Sequence, residues 1–91
     1  QMSAWAMAVW FKGMNEKESL TNCSEMTNKL LEFILEQKDE HKVHTPDAIL
    51  RVLVYMSHAD NWGYEKLERE TLKSIKYYWD NYNEFKEKDQ A

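Results

Sequence analysis

The chain has 91 residues, of which 43% are apolar, so it holds enough material for one hydrophobic core and too little for two. It contains two glycines and one proline, whereas an all-β fold of this length needs many more chain reversals. The net charge is −4 with both signs interspersed, so no charged tail directs the chain to nucleic acid or to an anionic membrane. We therefore predict a single all-α domain over residues 1–91.

The cellular location is inferred from one cysteine and one apolar run. The lone Cys23 cannot form an internal disulfide, which favours a reducing compartment, and we expect a cytoplasmic protein. The apolar run 2–11 is only half as long as the roughly 20 residues that cross a membrane. It also lacks the basic start and the cleavage site of a signal peptide. We expect no membrane association.

The first predicted helix covers about residues 3–12. It is apolar on every side, so the rest of the domain or a second copy of the chain must cover it, and we expect a homodimer. Gln1 suggests a start that derives from an expression vector. Three methionines are candidate natural starts: Met2, Met7 and Met14. If the last of these is the natural start, residues 1–13 are foreign to the protein; otherwise they form a native or swapped N-terminal helix.

The second predicted helix is amphipathic and follows the polar stretch 19–22. Asn22 and Glu25 have the spacing of a capping box, with Asn in place of Ser or Thr. Apolar residues then recur at helical spacing and share one face: Cys23, Met26, Leu30, Phe33 and Ile34. The helix is expected to end in a polar loop at 38–42.

The third predicted helix begins near Thr45, whose hydroxyl we expect to cap it, with Pro46 at the first helical position. The run 48–56 contains one polar residue in nine. Its Ile and Val residues also suit a buried strand, and the capping signal decides for a helix. Because the run is so apolar, we expect the other helices to surround it.

The fourth predicted helix is the longest and runs from Tyr64 to about residue 87. Its apolar residues recur at spacings of three and four: Tyr64, Leu67, Leu72, Ile75, Tyr78, Trp79, Tyr82 and Phe85. At 1.5 Å per residue it would span roughly 36 Å, more than the shorter helices can cover. We therefore predict a compact four-helix bundle-like domain with a long C-terminal helix, the aromatic end of which is exposed.

The exposed aromatic residues suggest a function in protein binding, because Trp and Tyr dominate the binding energy of protein interfaces. The candidate partner-binding residues are Trp62, Tyr64, Tyr78, Trp79, Tyr82 and Phe85. The sequence contains no Gly-rich phosphate loop, no nucleophile elbow and no Cys/His dyad. We predict a non-enzymatic protein–protein interaction module, a small regulator or inhibitor, that uses no cofactor and no small-molecule substrate.

A basic stripe on the fourth helix supports an alternative, a regulator that binds nucleic acid. Its residues are spaced three, four and three, with a tyrosine beside them: Lys66, Arg69, Lys73, Lys76 and Tyr77. A basic helix face of this kind suits phosphates or a major groove. Glu70 borders the stripe, and Asp80 continues the same face with the opposite charge, which is the pattern of a solvated helix face.

Arg51 and His58 share the polar seam of the third helix with Asp47. The pair resembles the Arg-x4–6-His motif of helical HEPN ribonucleases over eight residues, although Val52 stands where that family commonly has a polar residue. The resemblance implies an acid or base at His58 and a phosphate contact at Arg51. The simpler interpretation is a seam that faces water and holds an Asp47–Arg51 ion pair, so we assign no catalytic residue.

His41 and His44 lie close to Asp39 and Glu40 in the predicted loop. Zinc accepts such ligands, but no second pair of Cys or His residues completes a tetrahedral set. Solvated histidines are the simpler interpretation, and we predict no metal site.

Overall fold

The computed structural model describes residues 15–89. In this range the chain forms helices and no strand, which confirms the all-α prediction. The helices are α1 (Glu16–Leu35), α2 (Asp39–Lys42), α3 (Thr45–Ala59), α4 (Tyr64–Asp80) and α5 (Tyr82–Lys88). The predicted helix over 3–12, and with it the origin of residues 1–13, lies outside the described residues.

Helix α1 begins earlier than the sequence predicted. Asn15 is its N-cap: the side-chain oxygen accepts from the Glu18 backbone N–H at 2.8 Å, and its amide nitrogen donates to the Glu18 carboxylate at 3.0 Å. Asn22 and Glu25 have the same spacing but lie inside the helix, so the predicted cap is wrong. The intervening residues 16–20 are mostly good helix formers, and the helix therefore extends back to the earlier cap.

Two helices, α2 and α3, follow in the middle of the chain and are separated by a turn at 43–44. Four residues of the predicted polar loop form α2, with acids in its first turn and basic residues in its last, as the helix dipole favours. Helix α3 then begins at Thr45, which confirms a helix rather than a strand. His44 takes the N-cap position without a side-chain hydrogen bond, so the predicted capping role of the Thr45 hydroxyl is wrong.

The predicted long C-terminal helix is interrupted at Asn81, so its description as one continuous rod is wrong. Asn81 has φ −111° and ψ 25°, and its side-chain amide donates to the Tyr77 carbonyl at 2.8 Å. The same carbonyl also accepts the Asn81 backbone N–H at 3.1 Å, so main chain and side chain of Asn81 both bind the end of α4. The chain then resumes as α5, which packs against the end of α4.

The described helices do not enclose a core. Within residues 15–89 no apolar side chain is buried, and the one buried residue is Ser57, whose hydroxyl donates to the Val54 carbonyl at 2.7 Å. Helix α3 exposes Leu50, Tyr55 and its other large apolar residues except Leu53, so the described part of the chain does not surround it as predicted. Apolar helix faces are therefore left open on this chain.

Candidate protein-docking surface

Trp79 is the most exposed aromatic side chain of α4 and lies on a mainly apolar face of that helix. At 100° per residue, five residues fall within an arc of about 80°. We call them the α4 face: Tyr64, Glu68, Leu72, Ile75 and Trp79. Leu72 is 61% exposed, Ile75 55% and Trp79 81%. The opposite, half-buried side of the helix carries Leu67 and Ser74 instead.

Glu68 is the charged residue of the α4 face, and it is bound to a neighbour on the same face. The Tyr64 hydroxyl donates to its carboxylate at 2.9 Å, one helical turn away. This hydrogen bond and the negative charge of Glu68 both raise the pKa of Tyr64. The Tyr64 hydroxyl therefore keeps its proton and its hydrogen bond to Glu68. The two side chains form the polar part of the α4 face, next to Leu72.

The six predicted partner-binding residues do not form one surface. Trp79 and Tyr64 lie on the α4 face, whereas Tyr82 begins α5 and is 60% exposed. Trp62 precedes α4 and is half-buried, with the Lys66 ammonium 4.7 Å from the centre of its ring. The break at Asn81 separates the rings that the sequence placed along one rod.

The remaining two residues, Tyr78 and Phe85, form an aromatic cluster with Tyr77. The centroid of the Phe85 ring lies 5.0 Å from that of Tyr78 and 5.6 Å from that of Tyr77, both in edge-to-face geometry. The Tyr77 and Tyr78 centroids are 5.5 Å apart. These rings pack on one another within the chain, so Phe85 and Tyr77 join α5 to α4 and are poorly placed to contact a partner.

A groove separates α1 from the junction of α4 and α5. Its cavity of about 580 Å³ is lined mainly by apolar atoms, among them those of Leu20, Cys23, Leu31, Tyr78 and Phe85. Burial raises the pKa of the Tyr78 hydroxyl, and the neighbouring Cys23 thiol adds to the shift. The sequence placed Cys23 on the apolar face of its helix, and the side chain lies exposed at this groove.

The basic stripe is largely engaged within the chain. Lys73 forms an ion pair with Glu70 at 3.3 Å and Lys76 with Asp80 at 2.9 Å. Lys66 lies over the Trp62 ring, as described above. Tyr77, which was expected beside the stripe as an exposed ring, packs in the aromatic cluster and is half-buried. Arg69 lies exposed on the same side of α4.

The two weaker sequence candidates for chemistry gain no supporting geometry. Arg51 and His58 both lie on the exposed surface of α3, and Asp47 is likewise exposed. His41 is part of α2, and His44 precedes α3. Among residues 15–89, no group of three or more His, Cys, Asp or Glu side chains is placed to hold a metal ion.

The sequence placed Leu72 and Ile75 among the apolar residues that recur along the fourth helix, and both lie exposed on the α4 face. The spacing of three and four residues identified which side chains share a face, but it carried no information about what covers that face. None of the described helices is both long enough and apolar enough to cross a membrane. Comparison of the chain with protein-family models, with curated proteins and with solved structures finds no match.

Proposed function

We propose that the chain is a non-enzymatic protein–protein interaction module, a small regulator or inhibitor that docks through the α4 face. The observation that carries this proposal is the exposure of Leu72, Ile75 and Trp79 together on one side of a single helix. Contiguous exposed apolar surface on a small protein marks an interaction site, and a central Trp is a frequent hot spot.

The geometry of α4 suits a partner that offers an apolar groove or helix. Leu72, Ile75 and Trp79 are spaced three and four residues apart, as the anchors of a helix that docks in a groove are. The Lys76–Asp80 ion pair and the Tyr64–Glu68 hydrogen bond each span one turn beside the anchors and favour the helical conformation there. A preformed helix loses little conformational entropy on docking.

The same proposal includes the arrangement of the helices. Helices α1, α3 and α4 each carry an exposed apolar face, and a compact four-helix bundle-like assembly would cover the first two. The free thiol of Cys23 agrees with a reducing, cytoplasmic environment. Both points are proposals that the open faces and the unpaired cysteine support.

The test compares two aromatic-to-alanine variants of the full chain. Trp79→Ala truncates the α4 face, and Tyr55→Ala removes a ring of similar exposure (66%) from α3. A hot-spot residue contributes at least about 2 kcal/mol, so Trp79→Ala should weaken association with itself or with a captured protein roughly thirtyfold. The Tyr55 variant should associate as the wild type does.

The midpoint of thermal unfolding separates binding from packing. At a protein concentration low enough for the chain to be monomeric, Trp79→Ala is expected to leave it almost unchanged, because the side chain is 81% exposed. A large drop in the unfolding temperature together with unaltered association would show that Trp79 is a packing residue, and the proposal would then be withdrawn.

A nucleic-acid-binding regulator is the alternative proposal, and the exposed Arg69 and Lys76 support it. The ion pairs of Lys73 and Lys76 weigh against it, since phosphates would have to compete with Glu70 and Asp80. With four phosphate contacts, the logarithm of the binding constant for duplex DNA should fall against the logarithm of the salt concentration with a slope of about −3.6. If retention of the chain on duplex DNA changes neither with salt nor with the Lys73→Glu and Lys76→Glu substitutions, this alternative is excluded.

A further inference from the structure

We infer that the partner of the α4 face is a second copy of this chain, and that two α4 helices pair antiparallel about a two-fold axis at Leu72. This inference rests on the proposed docking role of the α4 face and names its occupant. It is carried by a symmetric sequence of side chains along the helix, by their charges and by the exposed apolar side chains beside them.

Five exposed residues of α4, each four positions from the next, form one ridge along the helix. We call it the Leu72 ridge: Tyr64, Glu68, Leu72, Lys76 and Asp80. It extends about 24 Å along the helix and winds through about 160° around it, so two such ridges align where the helix axes cross at about 50°. Leu72 lies at its midpoint, so Glu68 and Lys76 are equally far from the centre, and Tyr64 and Asp80 are equally far as well.

Two-fold symmetry turns this arrangement into pairs of complementary groups. In an interface between identical surfaces, residue i of one copy meets residue j of the other, and j meets i. Antiparallel pairing about Leu72 therefore brings each Glu68 to Lys76 of the second copy. The two Leu72 side chains meet on the axis. Within each copy the Tyr64 hydroxyl keeps its hydrogen bond to Glu68, and Asp80 keeps its ion pair with Lys76, so these bonds join the pairs of the interface into one network.

The same charges select against the other orientation. Parallel pairing in register would set Glu68 against Glu68 and Lys76 against Lys76, and like charges at close range cost binding free energy. Ile75 and Trp79, which flank the Leu72 ridge, supply apolar area next to the axis. Apolar residues at the centre with charged groups further out are the usual anatomy of a stable interface.

The apolar side chains next to the axis are exposed on the single chain. Leu72 is 61% exposed, Ile75 55% and Trp79 81%. Because the two surfaces are identical, a second copy would cover these three side chains on both chains at once.

The test measures the mass of the full chain in solution by sedimentation equilibrium over a wide range of concentrations. The wild type should be a dimer. Leu72→Glu places two carboxylates on the axis and should weaken the dimer at least about a hundredfold, with unchanged helical circular dichroism. Glu68→Lys and Lys76→Glu should each weaken it roughly tenfold or more, because symmetry repeats every lost pair.

The double charge reversal is the decisive variant. Glu68→Lys combined with Lys76→Glu exchanges the two charges, and it should restore the dimer because each copy again meets the opposite sign. Lys73→Glu is the matched control: it makes the same charge change as Lys76→Glu and likewise removes an ion pair within the chain, but it lies off the Leu72 ridge. It should leave the dimer intact.

The possible failures are distinguishable. A wild-type chain that stays monomeric at every concentration overturns the homodimer, and if Trp79-dependent capture of another protein persists, the proposed function still stands. A dimer that tolerates Leu72→Glu and is not restored by the double reversal overturns pairing at the Leu72 ridge. A chain that neither self-associates nor binds through Trp79 overturns the inference together with the proposed function.

Discussion

The ring of Phe85 stands edge-on to the ring of Tyr78, with centroids 5.0 Å apart and planes inclined at 75°, across the helix interruption at Asn81. Residues seven positions apart on a straight helix are separated by about 10.5 Å along its axis. The contact therefore exists only because the chain bends between the two rings. The aromatic cluster and the break at Asn81 are two parts of one structural feature.

Phe85→Leu is expected to destabilise the fold. Phe85 makes edge-to-face contacts with Tyr77 and Tyr78, and each such pair contributes about 0.5–1.5 kcal/mol beyond the area that it buries. The free energy of unfolding, measured with urea, should fall by about 1–3 kcal/mol. Trp79→Leu, at a ring that is 81% exposed, should change it by no more than about 0.5 kcal/mol. Equal losses in the two variants would contradict the assigned role of the cluster.

Asn81→Ala is expected to straighten the C-terminal helix. The substitution removes the bond from the Asn81 amide to the Tyr77 carbonyl and introduces the strongest helix former at the break. Nuclear Overhauser contacts between the Tyr78 and Phe85 rings should disappear, and the helical circular dichroism should increase. Asn83→Ala, within α5, should retain the ring contacts. Ring contacts that persist in the Asn81 variant would show that another feature causes the bend.

The sequence predicted the helical class, the α3 helix and the start of α4 at Tyr64, because each has a strong local signal. It did not predict the break at Asn81, and the reason is physical. Ion pairs at i,i+4 spacing form on both sides of the break, between Lys76 and Asp80 at 2.9 Å and between Glu84 and Lys88 at 3.4 Å. Each pair indicates only that its own four or five residues are helical, and the same holds for the spacing of the aromatic residues. Neither signal shows whether the turn between the two helices is interrupted.

The exposure of the α4 face could not be predicted from the sequence either. Periodicity indicated that Leu72, Ile75 and Trp79 belong to one side of a helix, and a small protein usually turns such a side inward. Whether it faces inward depends on contacts between helices that are distant in sequence. The described helices leave that side open, so Leu72 and Ile75 join Trp79 as candidates for docking.

Asn15→Ala is expected to destabilise α1. The Asn15 side chain satisfies the Glu18 backbone N–H, which has no partner within the helix, and loss of such a cap costs about 1 kcal/mol. Thermal unfolding and the hydrogen exchange rate of the Glu18 amide both measure the effect. Asn15→Ser retains an oxygen that can accept this bond, so it should restore most of the stability. A serine variant as unstable as the alanine variant would contradict the capping role.

The stability of the fold should decrease at alkaline pH in a way that depends on Tyr78. Burial and the neighbouring Cys23 raise the pKa of Tyr78 above its ordinary value of 10.0, so the folded chain holds this proton more tightly than the unfolded chain does. The resulting stabilisation is fully present below about pH 10 and is lost as the pH rises through the folded pKa. Tyr78→Phe cannot ionise, and its unfolding free energy should fall less above pH 10 than that of the wild type.

Tyr64 provides the control, because its pKa is raised for a different reason. Its hydroxyl is exposed, and the shift comes from the hydrogen bond and the charge of Glu68. Added salt screens exposed charges, so it should lower the pKa of Tyr64 towards its ordinary value. Burial is not screened, and most of the Tyr78 shift should persist in salt. Tyrosinate absorbance of the Tyr64→Phe and Tyr78→Phe variants, titrated at low and high salt, separates the two. If added salt lowers the pKa of Tyr78 as much as that of Tyr64, then charge rather than burial causes most of the shift at Tyr78.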